Sequence, residues 1–175
     1  MCFNFVKKCV AGSLGVLLAV SMYSAKLNAA GPDNSQKVKD SMAMLKDQLN
    51  KLGTPKVEGT EDVAGKKVPG LLFGTKKINS NYEVVDAVKK KMGGTATVFV
   101  KSGDEFIRVS TNVLKDDGNR AIGTELAKNA ALEAIKKGEA YYGTVEILGK
   151  PYDTGYEPIK VGSEVVGIYY VGYKK

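Results

Sequence analysis

The sequence predicts an α+β domain, a five-stranded antiparallel sheet with a long N-terminal helix and short flanking helices. Three observations predict it. Apolar residues early in the chain step by four, three, four and three, as one face of a helix requires. Five segments rich in β-branched and aromatic residues, separated by turn-forming residues, fill most of the chain after residue 94. An alanine-rich helical segment separates the second of these from the third. At 175 residues and 43% hydrophobic composition, the chain has the size and core-forming capacity of one domain.

Residues 1–30 read as a secretory signal peptide. Lys7 and Lys8 form a positive start, and 10–22 (VAGSLGVLLAVSM) forms an apolar run that ends at the polar Tyr23-Ser24-Ala25-Lys26. Crossing a bilayer takes about 20 apolar residues, so the run is short for a membrane span. The small residues Ala29 and Ala30 mark the expected cleavage point. Cys9 follows Val6-Lys7-Lys8 rather than a small-residue run, which argues against a lipid anchor.

The whole chain carries a formal charge of +7. Lys7, Lys8 and Lys26 precede the cleavage point, so the exported part is less basic. Its lysines are scattered and its only arginines are Arg108 and Arg120, a pattern that does not point to nucleic acid. Both cysteines, Cys2 and Cys9, lie in the signal segment, and the chain has no histidine. Thiol nucleophiles, Cys/His zinc sites and Ser-His-Asp triads are thereby excluded from the exported part. There is no EF-hand loop, no GxxxxGK phosphate loop and no GxGxxG turn. No metal and no cofactor is expected.

After the polar leader Gly31-Pro32-Asp33-Asn34-Ser35, with Asn34 or Ser35 as cap, the first helix is predicted to run to about Leu52. Its stripe is Val38, Met42, Leu45, Leu49 and Leu52, and Gly53 stops it. The stripe suits docking on the domain's own sheet; its spacing also fits a short seam with a second copy, a homodimer through this helix. Residues 54–81 are rich in Gly, Pro and Lys and read as an extended connection with one short strand near 71–73. Thus 31–65 form an N-terminal helix and connection, and 66–175 the domain proper. A second helix over 82–92 presents Val84, Val85, Val88 and Met92 and is closed by Gly93-Gly94.

Segments 95–100 and 105–111 read as a hairpin turning at Lys101-Ser102-Gly103-Asp104. Alternation puts Ile107 and Val109 on one face, and Phe106, Arg108 and Ser110 on the other. A loop follows, then a third helix over 126–137 ending at Gly138. Strands over 141–148, 152–160 and 164–173 complete the sheet.

This order of elements is that of a PAS-like sensor domain. The run GTATVFVKSGDEFIRVSTNVLKDDGNRAIGTEL, followed by YYGTVEILGKPYDTGYEPIK and VVGIYYVGY, resembles the single Cache domain type 3 and Cache 3/Cache 2 fusion sensors over about 68–173. Such domains form the extracytoplasmic part of bacterial methyl-accepting chemotaxis proteins and sensor kinases. The resemblance implies a pocket between the sheet and the loop and helix after the second strand, taking a small organic acid, amino acid or other metabolite. Receptors continue into a membrane helix and an output module where this sequence stops, so chemotactic or kinase signalling is expected to run through a separate membrane receptor or kinase partner.

Within that frame Arg108 is the leading candidate for ligand binding, because a planar guanidinium can grip a carboxylate through two parallel hydrogen bonds. Ser110 and Asn112, expected on the same face, would add hydrogen bonds. Arg120 is a second candidate, with a local pairing to Asp116 or Asp117 as its alternative. Seven of the nine tyrosines fall after residue 140. Tyr152, Thr154 and Tyr156 share one strand face, and Tyr142 lies on the neighbouring strand; a tyrosine offers a pocket wall a large ring and one hydroxyl. The chain is therefore expected to be a periplasmic or secreted binding module for a small anionic metabolite, and not an enzyme. The alternative is a ligand-free scaffold acting as an interaction or dimerisation protein. Carboxylate chemistry by Asp104, Glu146 or Asp153 lacks any evident pairing.

Overall fold

The structure is a computed structural model that describes residues 33–175; the signal segment lies outside the described residues. The elements are α1 (Ser35–Asn50), β1 (Pro55–Val63), β2 (Lys66–Phe73), β3 (Lys76–Lys77), α2 (Glu83–Met92), β4 (Thr95–Ser102), β5 (Glu105–Thr111), α3 (Ala130–Lys136), β6 (Tyr141–Ile147), β7 (Lys150–Val161) and β8 (Glu164–Lys174). Strands β4–β8 make the expected five-stranded antiparallel sheet, in the order β5-β4-β8-β7-β6. The fold is α+β and PAS-like. Among the described residues no helix is long and apolar enough to cross a membrane.

The first helix forms for the reason its spacing suggests. Val38, Met42, Leu45 and Leu49 are all buried and pack on the sheet of their own chain. The helix stops at Asn50, short of the expected Leu52, whose side chain is 37% exposed. The cap also differs from expectation: the Asp33 carboxylate accepts from the Ser35 amide at 2.9 Å, and Asn34 reaches away to Asp153 at 3.1 Å. Tyr173 of β8 ties two helices to the sheet, its hydroxyl 2.7 Å from Ser41 Oγ and 2.7 Å from the Met92 carbonyl.

Residues 54–81 are the main departure from expectation. Instead of a loop with one short strand they fold into an antiparallel β1-β2 hairpin, extended by β3 into a three-stranded sheet. The glycines that suggested a loop serve the hairpin. Gly59 sits where the register slips between Val57 and Thr60, and a Cβ on Gly70 would lie 2.4 Å from the Glu58 carbonyl oxygen.

The five-stranded sheet has two differently covered faces. One packs against α1, α2 and β2 around Val98, Val100, Ile107 and Val171. The other is covered by residues 112–129 and α3, around Phe99, Phe106, Leu132, Ile135, Tyr156 and Tyr170. The third helix is shorter than expected, because Asn129 caps it by accepting from the Leu132 amide at 3.1 Å. The residues before the cap pair with the outer edge of β5 instead: Arg108 N to Thr124 O, Gly123 N to Arg108 O and Leu126 N to Phe106 O, each at 2.9 Å. An edge strand's unpaired amides and carbonyls are satisfied in this way.

Candidate functional site

Cross-strand partners share a face, so the β4-β5 register decides where the candidates point. Phe99 lies opposite Arg108 and Val98 opposite Ser110, with Val109 as the extra residue of a bulge. The bulge reverses alternation midway along β5. Arg108 faces the α3-covered side, whereas Ser110 and Asn112 face α2, contrary to the expectation that the three act together. Ser110 donates to the Asn81 carbonyl at 2.5 Å; Asn112 accepts from the Ala96 amide at 2.8 Å and donates to the Val85 carbonyl. Both lock α2 and its approach to the sheet.

The Arg108 side chain is 4% exposed. Its guanidinium carbon stands 5.0 Å from the centroid of the Phe99 ring, and Nη1 donates to Thr124 Oγ at 2.6 Å. Thr124 in turn donates to the Ala121 carbonyl at 2.7 Å. Arg108 forms no salt bridge to any acid among the described residues, and its Nε is buried without a hydrogen-bond partner. Burial lowers its pKa, because the charged form loses its hydration, while the nearby Tyr156 and Tyr170 act in the opposite direction.

Tyr156 is fully buried, and its hydroxyl is the other buried polar atom that lacks a partner among the described residues. Its ring centroid lies 5.0 Å from that of Tyr170 and 6.3 Å from that of Tyr141. The Tyr170 hydroxyl sits 3.2 Å from Thr95 Oγ and folds back over Gly172, where a Cβ would lie 2.2 Å away. Burial raises the pKa of both phenols, so they stay neutral hydrogen-bonding groups. Thr154 and Tyr152 share this face; Thr154 is buried with its hydroxyl on the Gly143 carbonyl at 2.7 Å, and Tyr152 packs at the cluster's margin.

The remaining candidates lie elsewhere. Tyr142 pairs with Gly155 and therefore faces α1, opposite to Tyr156; its hydroxyl donates to Glu157 at 2.5 Å. It lines a groove of about 160 Å³ with Val38, Lys39, Thr144 and Asp153. Arg120 does not pair with Asp116 or Asp117, which bind Lys150 and Lys115. It grips Asp86 of α2 through two 2.8 Å hydrogen bonds, donates to the Thr111 carbonyl and stacks on Tyr82 with its guanidinium carbon 4.4 Å from the ring centroid. It clasps the covering loop to α2.

The arrangement thus brings Arg108, Tyr156, Thr154 and Tyr152 to one face and excludes Ser110, Asn112, Arg120 and Tyr142. Phe99, Thr124 and Tyr170 join the site without having been singled out. Tyr169 and Tyr170 are both buried, one on each face of the sheet, and pairing of Tyr170 with Tyr156 puts its ring on the α3-covered side. Among the described residues no three potential ligands converge to hold a metal ion.

One face of the PAS-like sheet is thus sealed by a loop and a short helix over a buried arginine with no acid partner among the described residues. The family model for the Cache 3/Cache 2 fusion domain matches residues 16–175, and the chain belongs to that family. Domains of this family are generally extracytoplasmic sensors, typically binding small molecules. No curated protein sequence gives a significant match.

Proposed function

We propose that this protein is an exported sensor module that binds a small anionic metabolite on the α3-covered face of its sheet, with Arg108 as the anchor. The observation that carries the reading is the buried guanidinium, which has an unpartnered Nε and no acid to balance it, beside the equally unpartnered Tyr156 hydroxyl. Buried polar groups are nearly always hydrogen-bonded and buried charges paired, so two neighbouring exceptions support a reading in which a guest completes them. A carboxylate in the plane of the guanidinium supplies the missing charge and acceptor together.

In this reading residues 1–30 direct export to the periplasm or outside the cell, and binding rather than catalysis is the domain's task. Its state passes to a separate membrane receptor or kinase of chemotactic or related signalling. The apolar stripe of α1, buried against its own sheet, favours intramolecular docking over pairing of two copies through that stripe.

The test is a thermal-shift screen of the purified chain against organic acids, amino acids, polyamines and purines. A ligand that binds only the folded state raises Tm in proportion to its occupancy. An acid that raises Tm in the native chain and not in Arg108→Ala supports the reading; a panel without any hit shifts weight to the ligand-free scaffold.

A further inference from the structure

The five-stranded sheet ends in two unlike edges. The β5 edge is closed by residues 123–126, whereas β6 is the last strand on the other side and pairs only with β7. One bond shows which backbone groups of β6 are left over. The Lys175 amide donates to the Pro151 carbonyl at 3.0 Å, so Pro151 and alternate residues along β7 turn their backbone groups to β8. Tyr152, Thr154 and Tyr156 therefore serve β6, where their partners are Val145, Gly143 and Tyr141. Tyr142, Thr144 and Glu146 point their amides and carbonyls outward, and no backbone group among the described residues meets them. Exposed edges are ordinarily blocked by proline, lysine or a bulge. The outer strand of the smaller sheet, β1, has all three in Pro55, Lys56 and the slip between Val57 and Thr60. Tyr141–Ile147 has no proline, no lysine and an unbroken register.

We propose that β6 is the docking edge for a second copy of this chain, the two β6 strands running antiparallel about a two-fold axis at Thr144. Thr144 then faces its own counterpart, Tyr142 faces Glu146 and Tyr141 faces Ile147. Of the antiparallel registers, this one alone gives each of the three outward residues an outward partner within β6, and each copy donates three amides. A pair of threonines and an aromatic ring against a β-branched residue are favourable cross-strand neighbours. Centring the pair on Glu146 instead would set two like charges face to face.

The charges agree with this register. Glu146 and Lys39 each form no ion pair among the described residues. Lys39 lines the groove beside Tyr142, and Tyr142, Thr144 and Glu146 share the α1 side of the strand. The second copy's Glu146, seated opposite Tyr142, therefore arrives on the side where Lys39 stands, and symmetry makes that contact twice. The pairing also limits itself. It consumes the β6 edge of both copies while their β5 edges are already closed, so two sheets join into one and no filament grows from them. The α1 stripe, buried within each chain, takes no part.

A contact of this size is expected to be weak, so the test is sedimentation velocity of the purified chain from about 1 to 500 µM, where a monomer–dimer equilibrium should appear. Thr144→Pro deletes the amide on the axis at an edge position where a single chain tolerates proline. It should weaken the dimer by at least about a hundredfold while leaving the circular dichroism spectrum unchanged. Glu146→Lys places a cation opposite Tyr142 and beside Lys39, and should weaken the dimer about tenfold; adding Lys39→Glu should restore it. A monomer at every concentration overturns the proposal, and so does a dimer that survives Thr144→Pro or is indifferent to Glu146→Lys. Should Thr144→Pro unfold the chain, Glu146→Lys and its rescue decide alone.

Discussion

Replacing Arg108 by methionine should make the ligand-free chain more stable. The guanidinium sits 4% exposed, with one side-chain acceptor, one ring beneath it and no acid. A hydrogen bond to a charged group contributes about 1.5–3 kcal/mol, and a desolvated cation–π contact about 2 kcal/mol. Against these stand a desolvation cost of several kcal/mol for the ion and about 1–3 kcal/mol for the orphaned Nε–H. Methionine keeps most of the length and the contact with Phe99 while removing the charge. Thr124 is not orphaned, because its hydroxyl still donates to Ala121. Exchanges of buried charge for a well-packed apolar group have gained about 1–4 kcal/mol elsewhere. A gain of about 1–3 kcal/mol is expected here, or about 2–4 °C in Tm per kcal/mol for a domain of this size. Urea denaturation of extensively dialysed protein reads it as a higher midpoint at unchanged slope. A loss above about 1 kcal/mol would refute the reasoning, since it would mean that the guanidinium is held for structure.

Three further perturbations follow from the packing. In Gly155→Ala the new Cβ would lie 2.7 Å from the Tyr142 ring and 3.0 Å from Val38, so α1 must lift from β7; a loss of about 1–3 kcal/mol and faster amide exchange along α1 are expected. Asp86→Asn removes the charge of the Arg120 clasp, whose partners are partly exposed, so stability should fall by only about 1 kcal/mol while amide exchange in residues 113–122 rises. Burial pushes the carboxyls of Asp153 and Glu157 up, but hydrogen bonds from Asn34, Thr144 and Lys175 to the first, and from Lys46 and Tyr142 to the second, outweigh it and leave both below their usual values. A depressed folded-state value gives stability that is present above the ordinary carboxylate range and is lost as pH falls through the folded value. Acid unfolding of the native chain should therefore be steeper than that of Asp153→Asn combined with Glu157→Gln, as followed by circular dichroism between neutral pH and pH about 2.

Legibility in the sequence tracked the regularity of each element. The α1 stripe and the five strand segments of the sheet were plain, because unbroken apolar periods admit one geometry. The β1-β2 hairpin was not, because Gly59 at its bulge and Gly70 under the Glu58 carbonyl look like loop residues until the partner strand is seen. Arg108 stood out as one of two arginines and the one on a strand. Its companions did not: the bulge at Val109 carries no glycine to announce it, yet it turns Ser110 away. Tyr141 and Tyr142 are chemically alike neighbours, and pairing with β7 alone puts the first beside Tyr156 and the second under α1. Arg120 was read against the acids adjacent in sequence, whereas its partner Asp86 is 34 residues away.

The stitching of residues 123–126 onto β5 closes the outer edge of the sheet beside Arg108. Unzipping that segment would bare the outer edge of β5, a row of amides and carbonyls able to recruit a strand from another molecule and so invite aggregation. It would also cut both backbone bonds of Arg108 and release the Thr124 hydroxyl, freeing the guanidinium from its present geometry. Beyond Leu126 the cover rests on the sheet through side-chain packing alone, so in the proposed binding reading a guest exchanged there would leave the anchor and the sheet's edge intact.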